Sequence, residues 1–479
     1  MRRPILANLG FLLQIAGLLT ILPIGIGLYF NETQQVIPLF LSCIAFMGFG
    51  FLLNALCERK ELDFKSASIL LLSAFIILPL IGAIPYVYND PFNSANLIDR
   101  FTNSYFESVS GFTTTGFSFI TNTDVLPRSM LVFRSLTELM GGIGVVFLIL
   151  AFFQSRKSMS NLGNTMGIDN INGNYKKMFL YVFAIYSIYI AAFTAIFYTL
   201  GFTDLLKTGS FVIDTITGGF SPTTQQLQQY LFLTPKILII ILMTLGSINF
   251  AFNYHLFTGK LKKMLTKEVA LFFLIIASSS IAIFYLAKIE FIDSLFHVVS
   301  MTSSTGYDYL NILSLNSTAI SIFITLIIIG GCTFSMAGGI RISRILTFLK
   351  SISQAVQITF VKEQKSDYYL EEEGKKFYED IPAIISILLF IVLLIIFAVL
   401  FTTMGISFTD AIFEMGSALS TNGVSMGAIN IAMPTAYKWL VIAAMTIGRV
   451  EILTILVALI PIKIFNESEV KKPQVNTIT

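Results

Sequence analysis

Continuous apolar runs of bilayer-crossing length, such as residues 237–252 and 381–401, constrain this chain more than any other feature. A hydrocarbon core about 30 Å thick takes roughly 20 helical residues to cross. Inside it, every backbone polar group must be satisfied within the protein. Hydrophobic residues make up 55% of the 479 and charged residues only 12%, against roughly 25% charged in an average soluble domain. A water-soluble fold is excluded, and an all-α integral membrane protein is expected. The formal charge of +3 is too small for nucleic-acid binding, and the lysines and arginines are sorted by position rather than massed in a patch. Cys43, Cys57 and Cys332 have no metal or redox spacing and read as reduced packing residues.

Cutting at polar and turn-rich segments gives ten long spans, near 5–30, 36–56, 66–88, 128–154, 176–200, 234–257, 267–287, 317–349, 380–404 and 437–463. Arg2 and Arg3 precede the first, which runs to Phe30 without a small-residue cleavage site and reads as a retained helix. Four shorter apolar pieces, 101–112, 203–216, 291–302 and 408–419, are too short to cross; each precedes a polar run containing glycine, which predicts re-entrant helices and loops. With a cytoplasmic N-terminus, Arg59, Lys60, Lys65, Arg156, Lys157, Lys176, Lys177, Lys260, Lys262, Lys263 and Lys267 all lie inside, as do Lys350, Lys362, Lys365, Lys375 and Lys376. The opposite face receives fewer, so the loops open from outside and both termini are cytoplasmic. No inner segment is long enough for a nucleotide-binding domain, and 362–380, with Glu371, Glu372 and Glu373, reads as a solvated connector or contact strip.

The short pieces are copies of one another. Phe101, Phe106 and Glu107 recur as Phe291, Phe296 and His297 and as Phe408, Phe413 and Glu414, each set followed nine residues later by a glycine: Gly116, Gly306 and Gly423. Before those glycines stand Thr114 and Thr115, Ser304 and Thr305, and Thr421 and Asn422. A looser copy, Thr217, Gly218 and Gly219, needs an offset of about two residues in its helix. Four matching units around one pathway organise the chain as two additional N-terminal helices in 1–60, then repeats in 61–160, 161–262, 263–365 and 366–479, the last with a cytoplasmic tail.

A dehydrated cation needs a ring of backbone carbonyls in place of its water shell. Glycine reaches positive φ cheaply and lets backbones approach closely; neighbouring hydroxyls can satisfy backbone groups; and a short helix aims its partly negative C-terminal end at the membrane centre. One such loop would be an ordinary turn. Four in register point to a cation pathway.

Beside these loops, Arg134 and Ser135 are followed by Gly141, Gly142 and Gly144, the eighth span holds the run from Gly330 to Gly339, and the last holds Gly448, Arg449 and Glu451. Together they resemble the Trk/Ktr/HKT superfamily of potassium transport proteins over nearly the whole chain, and the two extra helices fit the TrkH type. The resemblance implies four linked helix, pore loop and helix repeats around one central pore in the plasma membrane, potassium being the transported ion without an organic cofactor. It implies a homodimer with one pore per subunit, gated by a cytosolic TrkA-like subunit that binds NAD or ATP. Glycine in all four loops goes with potassium permeation in such relatives, whereas serine in the first marks sodium-selective ones; potassium is expected to pass here, with sodium and rubidium passing less well. Asn422 departs from the apolar residue often found there, and Phe334 and Met336 enlarge the eighth-span run.

Gly330, Gly331, Ser335, Ala337, Gly338 and Gly339 interrupt an apolar span. Such a run either unwinds the helix, at about 1 kcal/mol per glycine, or forms a small-residue packing face. Relatives have a gating loop here. Arg449 in a span must find a partner or water; Glu451 points to another face, leaving a carboxylate elsewhere as the better partner, and the resemblance implies an electrostatic barrier below the filter. Arg134 and Glu138 read as a structural i, i+4 pair. His255 and His297 lie in no zinc motif, and no hydrolase or phosphate-binding signature occurs, so enzymatic activity is not expected. The alternative is a secondary transporter coupling potassium uptake to protons or sodium through Glu107, Glu138, Glu414 or Glu451, although the repeats share one orientation rather than being inverted. Asn31 and Thr33 fit a glycosylation acceptor by chance spacing.

Overall fold

The computed structural model describes residues 2–57, 62–120, 122–152, 175–220, 232–310, 312, 315–361 and 367–459, and these are helical with connecting loops. Two N-terminal helices, α1 (Arg2–Tyr29) and α2 (Thr33–Leu56), form a hairpin against the next unit. It is pinned there by Ser42 Oγ donating to the Ile81 carbonyl at 2.9 Å. The first unit comprises α3 (Phe64–Gly82) with its continuation α4 (Ile84–Asn89), the short α5 (Leu97–Phe112) and α6 (Arg128–Phe152). The second comprises α7 (Tyr175–Thr199), short α8 (Leu205–Thr217), and α9 (Leu233–Ser247) with α10 (Phe250–Phe257). The third comprises α11 (Lys267–Ala287), short α12 (Phe291–Ser303), α13 (Ser317–Ile329) and α14 (Ile342–Val361). The fourth comprises α15 (Asp367–Thr402), short α16 (Phe408–Leu419), and α17 (Thr435–Val450) with α18 (Ile452–Leu459).

Among the described residues six helices are long and apolar enough to cross a membrane, or eight when each sharply bent pair counts as one span. The other two expected spans are the 25-residue α6 and the interrupted pair α13 and α14. The expected boundaries at 60/61, 160/161 and 365/366 lie outside the described residues, as do Arg156, Lys157 and the tail from 460. The boundary at 262/263 falls in the turn Leu261–Lys263. The strip expected as a connector over 362–380 begins outside the described residues and continues from Asp367 as the first turns of α15.

The short helices have 16, 13, 13 and 12 residues, about 18–24 Å of rise, and cannot cross. Three start on a side-chain cap: Asn96, Asp204 and Ser407 accept from backbone amides of the first turn, which fixes where each begins. Their inner ends pack on glycines of the following helices. A methyl group on Gly141, Gly246 or Gly448 would collide with the carbonyl of Phe112, Ile216 or Leu419.

The second helices differ. Whereas α6 runs unbroken, α9 and α10 meet at 112° and α17 and α18 at 94°, and α13 and α14 are separated by an unwound segment over 330–341. The unwinding expected in the eighth span is present. The two bends fall inside spans expected to be continuous, and Asn249, accepting from the Phe252 amide at 2.8 Å, starts a new helix at one of them. Buried apolar side chains form two large clusters, one mainly uniting the second and third units, the other mainly the first and fourth. Outward-facing Leu22, Phe51, Leu274 and Leu388 remain exposed, as a lipid-facing surface requires.

Candidate functional site: a ring of four loops above an unwound helix

The loops that follow the short helices meet in a closed ring. Gly116 faces the main chain of Gly218 and Gly219, with the Gly218 carbonyl oxygen 2.7 Å from where a Cβ would sit. Gly219 faces the Thr305 carbonyl, Gly306 that of Asn422, and Gly423 that of Thr115, so the ring closes in the order of the units. All four glycines have φ between 73° and 87°, a conformation that L side chains adopt only with strain. Two residues earlier Thr114, Ser304 and Thr421 are also left-handed, at 54°, 59° and 48°, whereas Thr115, Thr305 and Asn422 are not. In these three loops left-handed and ordinary backbone thus alternate up to the glycine, unlike the uniform backbone of an extended strand. The second loop reaches the same place differently. α8 runs on to Thr217, two residues before its glycine, and the Gly219 amide donates to the Asp214 carbonyl at 2.7 Å. The two-residue offset in the sequence falls at the inner end of α8, which runs closer to its glycine than the other short helices do.

Behind each loop a buried side chain holds the backbone on its outward course. Glu107 accepts from the Ser118 hydroxyl at 2.8 Å and the Phe119 amide at 3.1 Å. Glu414 accepts in the same way from Ser425 at 2.8 Å and from the Met426 and Ala428 amides at 2.9 and 3.1 Å, and His297 Nε2 accepts from the Tyr309 amide at 3.3 Å. These are the repeat's own Glu, His and Glu, nine residues before the glycine. The second loop takes its acceptor from the first unit, Glu138 receiving the Phe220 amide at 3.0 Å and the Thr217 hydroxyl at 3.3 Å. Arg134 therefore does not pair with Glu138. It crosses to Glu107 at 2.8 Å, donates to Ser118 at 3.0 Å and lies 4.1 Å from the Phe220 ring centroid, because Glu138 is already occupied by the neighbouring loop. Tyr307 ties the third loop to the second through its hydroxyl, which donates to the Phe220 carbonyl at 3.0 Å.

The unwound segment lies directly beneath. The Gly338 amide donates to Ser304 Oγ at 3.1 Å, and a Cβ on Gly338 would sit 2.5 Å from Thr421 Oγ1 and against the Ser420 carbonyl. Gly330 and Gly339 have φ of 70° and 81°. Gly331 packs on Ala337 and the Ser247 carbonyl, and Ser335 donates to the Cys332 carbonyl at 2.6 Å. Phe334 and Met336 hold the segment to the second unit: the Phe334 carbonyl accepts from the Phe250 amide at 3.0 Å and the Met336 amide donates to the Gly246 carbonyl at 3.0 Å. The bend between α9 and α10 is what frees these partners.

Arg449, at the end of α17, donates to the Met336 carbonyl at 2.9 Å and the Gly141 carbonyl at 3.2 Å. The expected carboxylate partner is replaced by main-chain oxygens, and no ion pair joins Arg449 among the described residues. Glu451, turned away by the bend (φ 69°), pairs instead with Arg341 at 2.9 Å and Arg344 at 2.5 Å. Sequence reasoning missed this clamp on the far end of the unwound segment, since its members are separated by about a hundred residues.

A multi-pass membrane protein with four re-entrant loops around one axis has the architecture of a cation pathway. The family model for TrkH, a cation transport protein, matches residues 34–287 and 268–467, and the chain belongs to this family of transport proteins rather than to the enzymes. An uncharacterised cation transporter of Methanocaldococcus jannaschii is 29% identical over 461 residues, covering 95% of this chain and 94% of its own. The Trk system potassium uptake protein TrkH of Escherichia coli K12 is 21% identical over 430 residues, covering 84% and 87%. The crystal structure of the potassium transporter TrkH from Vibrio parahaemolyticus superimposes with a TM-score of 0.79 at 18% identity, covering 96% of this chain and 99% of that one, and shows the shared fold.

Proposed function

We propose that the ring is a potassium filter and that the chain is a channel-like potassium uptake protein of the plasma membrane. The observation that carries this is the closed circuit of four glycines, each against a main-chain carbonyl of the next loop. Such a ring replaces a hydration shell with carbonyl oxygens, and Thr114, Thr115, Thr217, Gly218, Ser304, Thr305, Thr421 and Asn422 complete its rims. Potassium as the ion is supported by glycine in all four loops and by the name of the Escherichia coli relative.

The segment over 330–341 is the gate. It stands in the path below the ring, and Arg449 adds a positive charge there that opposes cation leak. Cytoplasmic termini, a homodimer and control by a cytosolic nucleotide-binding subunit belong to the same proposal, supported by the charge sorting and by the family. Potassium uptake into proteoliposomes under an imposed gradient tests it. Gly116→Ser lowers the preference for potassium over sodium if the ring is the filter, and an unchanged preference would overturn the assignment. A reversal potential that follows the potassium gradient alone separates the channel from coupling to protons or sodium.

A further inference from the structure

At three of the four seams the units are clamped to one another at their outer ends. Arg128 at the start of α6 pairs with Asp204 at the start of α8 at 2.8 Å. Lys236 in α9 pairs with Asp293 in α12 at 2.5 Å. Lys438 in α17 donates to Asn103 in α5 at 2.7 Å, while Thr435 beside it donates to Asp99 at 2.9 Å. Lys236 and Lys438 occupy the same place, ten residues before Gly246 and Gly448, and Asp293 and Asn103 both stand thirteen before their loop glycines. Each clamp thus reaches forward to the next short helix.

The seam from the third unit to the fourth breaks the rule. Asp410 holds the receiving place, thirteen residues before Gly423, but residues 315–329 contain no lysine or arginine, and no ion pair reaches Asp410 among the described residues. The same seam divides the two large apolar clusters, with few fourth-unit side chains, Phe413 and Val424 among them, joining the cluster of the third. At the level of the ring one hydrogen bond crosses it among the described residues: Asn422 Nδ2 donates to the Met301 carbonyl at 2.8 Å, both groups buried. In the first loop, the corresponding Thr115 hydroxyl stays within its own loop, 2.7 Å from that of Thr113. Thr305 is held by Ser303 at 2.9 Å and reaches the second unit only at 3.3 Å, across a seam that already has Lys236 and Tyr307.

Resting on the filter assignment above, we infer that Asn422 is a positioning residue for ion choice: its side chain sets the spacing of the third and fourth loops at the seam that lacks a cationic clamp. A filter discriminates between ions through the number and placement of its carbonyls, and a seam held at the level of the ring by one hydrogen bond, its ion pairs lying on the inner side, is where that placement is most easily lost. The residue that departs from the other loops thereby does the work that lysine or arginine does elsewhere.

The test measures potassium, rubidium and sodium permeability in proteoliposomes for wild type, Asn422→Thr, Asn422→Val and Thr115→Val, each confirmed as folded by its elution and melting profile. Asn422→Thr restores the residue type of the first and third loops yet cannot span the seam. Both Asn422 variants are expected to lower the potassium-to-sodium ratio roughly five- to tenfold, the scale of one net hydrogen bond, and Thr115→Val less. A ratio unchanged in Asn422→Thr and Asn422→Val would overturn the inference. The filter assignment stands or falls separately, on Gly116→Ser. Should the Asn422 variants fail to fold, Ile320→Lys, which installs a cation ten residues before Gly330, is expected to restore folding; no restoration would equally overturn the inference.

Discussion

The outer and inner halves of the molecule follow opposite rules. In the outer half the four loops bring their glycines to nearly the same backbone, with φ spread over 14°, from 73° to 87°, and a buried acceptor behind each. In the inner half the four second helices are unbroken, bent by 112°, unwound, and bent by 94°. A ring that coordinates a nearly spherical ion needs equal contributions from four sides. A passage that opens and closes needs one side softer than the rest, and the proposed gate is the one unwound helix of the four, held by Arg449 on one flank and by Glu451 on the other.

The largest expected effect breaks the outer half. Arg134→Met leaves Glu107 buried without its guanidinium, and such orphaned buried charges cost about 3–5 kcal/mol. The melting temperature should fall sharply, and Glu414→Gln, at the equivalent carboxylate, which has no arginine beside it among the described residues, should lower it less. Gly219→Ala comes next. Its methyl group meets the Thr305 carbonyl in a left-handed backbone, and potassium uptake should drop on the order of a hundredfold, or about 2.7 kcal/mol, with rubidium uptake lost in parallel.

Breaking the inner half should act in the other direction. Arg449→Ala removes a positive charge beneath the ring, one hydrogen bond to the unwound segment and one to α6, and flux should rise by up to roughly tenfold, about 1.4 kcal/mol, with ion preference unchanged. A changed preference would mean that the two halves are not separable. The smallest effect is at the inner rim, where Lys350 and Asp380 pair at 3.2 Å with the lysine 56% exposed. Lys350→Ala should shift stability by less than about 1 kcal/mol and leave flux alone.

What the sequence disclosed follows the same division. The outer half was legible because repetition gave several views of one object: the segment expected at 408–419 is α16, and α12 ends one residue beyond its expected limit. α5 begins four residues earlier than expected because Asn96 caps it there. The inner half was legible only where the composition was extreme, in the glycine run from Gly330. The bends at Ile248 and Glu451 interrupt apolar stretches that read as continuous, although Ser247 and Asn249 carry the polar groups that a helix end requires.

Charged partners were the least legible. The i, i+4 spacing matches Arg134 to Glu138, yet Glu138 serves the second loop and Glu107, in another helix, receives the arginine. Arg449 finds carbonyls, the Met336 one on an unwound segment and so free of helical partners, and main-chain acceptors have no signature in a list of side chains.

The glycines sit in four separate stretches of one polypeptide, each abutting the next stretch rather than an identical copy of itself. A point mutation therefore alters one quarter of the ring and leaves three quarters as they were. In an assembly of four identical chains the same codon change would be felt four times at once. Inheritance through a single gene lets such a ring be adjusted in quarter steps, and the asparagine of the fourth loop is what one such step looks like.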